Sequence, residues 1–126
     1  MSPRSAEFLN AARRRLIAAN GAVEDDAATA LSAAYYAMLY AARAALSERD
    51  TYAKTHVGIW HEFRRAFVES GLFDADLLTE AQKVQPERER ADYEAWLPPE
   101  DEAWRVIEIA RTFFAAVEAL LSDEPM

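Results

Sequence analysis

The chain has 126 residues, 52% of them hydrophobic, which is one domain's worth of sequence with enough apolar surface for a core. Three glycines and five prolines supply few turns for a many-stranded fold, and the lack of cysteine removes disulfides, thiolate metal sites and a thiol nucleophile. A net charge of −8 opposes tight non-specific binding to a phosphate backbone.

The first residues, Met-Ser-Pro-Arg-Ser, lack the apolar core of a signal peptide and read as a helix start, with Ser2 as cap and Pro3 in the first turn; a cytoplasmic location is expected. Phe8, Leu9, Ala12, Leu16 and Ala19 recur at three- and four-residue spacing and predict an amphipathic helix over 3–19 that stops at Asn20-Gly21. A second helix is predicted over 22–47, opened by the acids Glu24, Asp25 and Asp26. Its stripe Leu31, Tyr35, Met38, Ala42 and Leu46 lies beside another of Tyr36, Leu39 and Tyr40. So wide an apolar surface, rich in alanine, makes this helix central and open to close approach by a neighbour, within the subunit or from a second copy. The uncharged stretch 27–42 is too short to span a bilayer.

A third helix is predicted from about Thr55, with Ile59, Phe63, Ala66 and Phe67 on one side and Ser70-Gly71 at its end. Asp74 caps a fourth, carrying Leu77, Leu78, Ala81 and Val84, which Pro86 must kink or interrupt. Trp96-Leu97-Pro98-Pro99 is a loop, and a last helix begins at Glu100-Asp101-Glu102 with Trp104, Ile107, Phe114, Val117 and Leu121 as its seam. The expectation is an all-α, single-domain, antiparallel bundle of four to five helices whose core leans on Tyr36, Met38, Phe63, Trp104 and Phe114.

Few familiar chemistries fit. His56 and His61 are five residues apart, so on a helix they diverge by roughly 500° of rotation and do not share an ion. Gly-rich phosphate loops, helical His-Glu-x-x-His and the Gly-x-Ser-x-Gly elbow are missing from the sequence, and no cofactor is expected. What remains is a concentration of cationic and polar groups over 54–93, which reads equally as a solvated, salt-bridged face.

Three segments carry a resemblance. Ala-Leu-Ser-Ala-Ala-Tyr-Tyr-Ala-Met-Leu-Tyr-Ala-Ala-Arg-Ala-Ala-Leu at 30–46, Lys54-Thr55-His56-Val57-Gly58 with Phe63 and 67–72 after it, and Arg88-Glu89-Arg90-Ala91-Asp92-Tyr93 resemble, in that order, the signatures of a short prokaryotic branch of the HEPN superfamily. The resemblance implies a helical bundle, usually a homodimer, often encoded beside a minimal nucleotidyltransferase as toxin and antitoxin. Active relatives are metal-independent ribonucleases whose signature is an arginine followed by a histidine after four to six residues, two subunits lining one RNA cleft. Arg49 and His56 match that spacing across a predicted loop; Arg88 and Tyr93 match it with tyrosine in the histidine's place. Ala33 stands where the branch commonly has an arginine.

On this resemblance His56 is the general base for a ribose 2′-hydroxyl, Lys54 and Arg88 stabilise phosphoryl charge, and Asp92 orients a cation or the imidazole. Tyr93 becomes the residue a nucleotidyltransferase would modify with AMP. The alternative is a non-catalytic helical interaction or nucleotide-binding module serving such a transferase, with His56 a helix-start residue bonded to Asp92 or a backbone carbonyl and Tyr93 a helix-end packing residue.

Overall fold

The computed structural model describes residues 1–123, which form five α-helices and, among the described residues, no strand: α1 (Pro3–Ala22), α2 (Ala27–Glu48), α3 (His56–Phe63) continuing into a π-helical turn (Arg64–Val68), α4 (Ala75–Tyr93) and α5 (Glu100–Asp123). No helix among the described residues is long and apolar enough to cross a membrane.

Helices α1 to α4 each start where a short polar side chain replaces the missing backbone acceptor. Ser2 Oγ accepts from Ser5 N–H, Asp26 from Ala28, Thr55 from Gly58 and Asp74 from Asp76. α2 ends in a left-handed turn: Asp50 sits at φ 51°, its N–H donates to the Ser47 carbonyl, and Thr51 N–H reaches back to Leu46. Gly71, at φ +82°, closes the turn after the π-helical segment as its position predicts.

α2 is the central helix. Ala30, Ala34, Ala37, Ala41, Ala44 and Ala45 are fully buried, and α2 packs on α1, α3, α4 and α5. Alanine on so many sides lets those neighbours come close, and the bulk they bring fills the space. At the α3–α5 end that bulk is aromatic: Phe63 lies 4.8 Å from Phe73 and 5.0 Å from Phe67, and Phe113 touches Phe63, Phe73 and Trp60.

Several expectations need correction. α1 does not stop at Asn20-Gly21: both stay helical, and the chain turns only after Ala22, where Asp26 N–H bonds to the Ala22 carbonyl. Consequently α2 starts at Ala27, with Glu24 and Asp25 left in the turn. Pro86 does not interrupt α4. It is exposed, while Val84 and Arg88 on the opposite face are buried and hold the helix on both sides of the missing hydrogen bond. In the core, Met38, Phe63 and Phe114 are buried, but Trp104 is 39% exposed and Tyr36 half-buried. The seam of α5 centres on Ala103, Val106, Ile107, Ala110 and Phe113, which leaves Trp104 about 100° round from Ala103 and at the edge. Tyr35 and Trp60 take the interior places instead.

Candidate functional site

The site is built where the start of α3 meets the middle of α2 and the last turns of α4. Thr55 Oγ1 accepts from Gly58 N–H at 2.9 Å, and a Cβ on Gly58 would meet that oxygen at 2.9 Å and the Ala53 methyl at 3.3 Å. Glycine therefore lets the loop 51–55 fold tightly over the first turn, and that turn sets His56 against α2. The His56 ring lies 5.7 Å from Tyr35 and 5.9 Å, edge-on, from Tyr36.

From α4, Arg88 brings its guanidinium to the same two rings, 5.4 Å from Tyr35 and 5.6 Å from Tyr36. Only 7% of this arginine is exposed. One terminal nitrogen holds Asp92 one turn on at 2.8 Å, while Nε is buried without a hydrogen-bond partner. A buried cation with an unspent donor costs stability, so the fold maintains it against its own interest.

A hydrogen-bonded chain runs through the imidazole. The Trp60 indole N–H can only donate, and it donates to the Tyr35 hydroxyl at 3.3 Å. The other neighbour of the Tyr35 hydroxyl is Nδ1 of His56, at 3.2 Å. With the hydroxyl as donor, Nδ1 accepts and neutral His56 carries its proton on Nε2; with Nδ1–H as donor to the hydroxyl, Nε2 is the free base. Burial, helped by the charges of Arg88 and Arg43, lowers the His56 pKa, while burial raises that of Tyr35, so both groups are neutral at neutral pH.

Of the residues singled out in the sequence, His56 and Arg88 meet at Tyr35 and Tyr36, and Asp92 joins them through its bond to Arg88. Lys54 is exposed on the loop before α3 and lines the adjoining cleft with Arg43. Tyr93 follows Asp92 but stands 80% exposed, so it packs against little. Arg49 stacks on Phe67 at 4.9 Å, at the aromatic end of the core, whereas His56 lies on the tyrosines. His56 bonds neither to Asp92 nor to a backbone carbonyl; its partner is Tyr35. Sequence reasoning missed the functional weight of Tyr35, Trp60 and Arg43. The stripe Tyr36, Tyr40, Arg43 was readable at helical spacing; the Trp60–Tyr35 bond spans 25 residues and was not.

The protein is thus an all-helical domain in which an imidazole and a buried guanidinium share an aromatic floor. The family model for the HEPN domain matches residues 5–120, and the chain belongs to that family. A search of curated proteins returned no match.

Proposed function

We propose that this HEPN domain is a metal-independent ribonuclease toxin, acting in the cytoplasm as a homodimer and held in check by a minimal nucleotidyltransferase. The observation that carries the reading is the placement of His56 and buried Arg88 on the same two tyrosine rings. In the reaction the ribose 2′-oxygen bonds to phosphorus while the bond to the 5′-oxygen breaks. The 2′-hydroxyl proton passes to Nε2 of His56, and the imidazolium returns a proton to the 5′-oxygen. Arg88 and Lys54 stabilise the charge on the phosphoryl oxygens, and Asp92 holds Arg88 in place. For Nε2 to act as base, Tyr35 must turn its hydroxyl so that Nδ1 carries the imidazole proton.

Tyr93 is the exposed hydroxyl that a transferase could reach, and AMP added there would set a phosphate one residue from Asp92 and repel RNA. Mass spectrometry of the Tyr93 peptide after co-expression with an adjacent transferase tests the idea; an unmodified peptide rejects it.

One observation favours the second reading, a module that binds nucleotide or RNA without cutting. With the Tyr35 hydroxyl donating to Nδ1, the Trp60–Tyr35–His56 chain leaves Nε2 as a donor, suited to grip a phosphate oxygen. Inducible expression of the wild type and His56→Ala separates the two. Growth arrest with RNA cleavage in the wild type alone supports the nuclease; intact RNA in both supports the binding module.

A further inference from the structure

A second concavity adjoins the His56 site. It is a cleft of about 310 Å³ between the start of α1, the Arg43 turn of α2 and the loop 51–55, and its floor is apolar, formed by Leu46 and Ile59. Three cations face it, Arg4, Arg43 and Lys54, and no acid does, in a chain that carries 22 acids against 14 lysines and arginines. That sign reversal is local and opposes the charge of the whole molecule. Arg43 is half-buried, with its Nε shut away from solvent and unpartnered, and its charge reaches far enough to depress the pKa of His56. Lys54, on the cleft wall, stands two residues before His56, so the cleft borders the His56 site.

The walls are aromatic. Tyr52 is 58% exposed on the loop, and Phe8 comes from α1. At present the Arg4 guanidinium lies on Tyr52 at 4.8 Å and on Phe8 at 5.8 Å. A flat, delocalised cation on an exposed ring is weakly held and occupies the kind of space a nucleobase would take.

We infer that this cleft binds one nucleotide unit, its base stacked at Tyr52 and its phosphate between Arg43 and Lys54. The chemistry recognised is a nucleobase joined to a phosphate, whether free or within single-stranded RNA. The inference deepens the ribonuclease reading by giving the His56 site a neighbouring nucleotide subsite, but it does not need cleavage to be true.

The test uses the full chain and two probes, adenosine 5′-monophosphate and a short 2′-O-methyl oligoadenylate that cannot be cut through its 2′-oxygen. Calorimetry at low and moderate salt reads the Kd. Tyr52→Ala is expected to weaken binding about ten-fold, and Tyr52→Phe to restore it, because stacking needs the ring and not the hydroxyl. Lys54→Ala is expected to weaken binding and reduce the salt dependence by about one phosphate contact. Both positions are exposed, so the variants fold. Binding of the oligomer alone assigns the cleft to RNA, and binding of both probes or of the monophosphate alone assigns it to a nucleotide end or free nucleotide. Affinity that is absent, or unchanged by Tyr52→Ala and Lys54→Ala, overturns the inference. Because neither probe reports cleavage, that failure is distinct from failure of the nuclease reading, which the expression assay decides.

Discussion

α3 contributes to two aromatic clusters of opposite character. Its far end puts Phe63 into an apolar nest with Phe67, Phe73 and Phe113, every member buried. Its first residue, His56, joins Tyr35, Tyr36 and Arg88, where rings carry hydroxyl and imidazole groups and a buried guanidinium keeps one donor unsatisfied. The nest maximises apolar burial; the His56 cluster gives up some of it to hold proton-bearing groups in fixed states. Trp60 bridges them, with its ring in a T-shaped contact with Phe113 at 5.9 Å and its N–H spent on Tyr35. Stability and chemistry should therefore separate along a single helix.

The largest stability loss belongs to the nest. Phe113→Ala removes a fully buried ring that touches Trp60, Phe63 and Phe73, and should cost about 3–5 kcal/mol in thermal or denaturant unfolding. A loss under about 1 kcal/mol would mean that the two clusters do not divide the labour in this way.

The hinge between loop and α3 should respond next. Thr55→Ala deletes the cap and should cost about 1 kcal/mol. Gly58→Ala forces its new Cβ against the same oxygen, so the two changes should couple: Gly58→Ala is expected to be less damaging when Thr55 is already alanine. Strict additivity in denaturant melts would show that the capping oxygen is not what glycine makes room for.

Arg88→Met tests the other cluster. It keeps volume, removes a cation with a buried unsatisfied Nε and leaves behind a carboxylate, Asp92, that is over a third exposed. Stability should change by less than about 1 kcal/mol and could rise. RNA cleavage or ligand binding should instead fall by at least ten-fold. Equal loss of stability and function would make Arg88 a structural strut.

The fold was largely legible because it follows from local rules. Ser2, Thr55 and Asp74 announce helix starts by chemistry that acts within three residues, and the alanine density of α2 identifies the helix that others must pack against, whereas Asp26, read as one of three acids inside the first turn, is the cap itself. Gly21 and Pro86 misled for the same reason in reverse: a permissive or forbidding residue sets a local cost, and packing on both sides of it decides whether the helix stops. At the site, His56, Arg88 and Asp92 stood out in the quoted motifs, but what ties them together was hidden. Tyr35 read as a core stripe, which it is; only the fold reveals that its hydroxyl is shared by Trp60 and His56.

The smallest effect is the pH dependence of that hydroxyl-linked imidazole. Burial first, then the charges of Arg88 and Arg43, hold the folded His56 pKa below its ordinary value, with Glu89 opposing. Between the folded value and the unfolded value near ~6.5, the unfolded chain binds the proton more readily. The His56 contribution to stability is therefore complete above the unfolded value, declines as pH falls through that window, and levels off below the folded pKa. His56→Gln should flatten this part of the stability curve. Arg88→Met should narrow the window by removing the larger of the two opposing charges. Nitrogen-15 shifts of the ring supply the independent reading: at neutral pH the wild type should show its proton on Nε2, and Tyr35→Phe, which keeps the ring but deletes the donor to Nδ1, should shift the tautomer balance toward Nδ1–H. A ring already protonated on Nδ1 in the wild type would break the Trp60–Tyr35–His56 chain as drawn, and would make His56 a ready base without rearrangement.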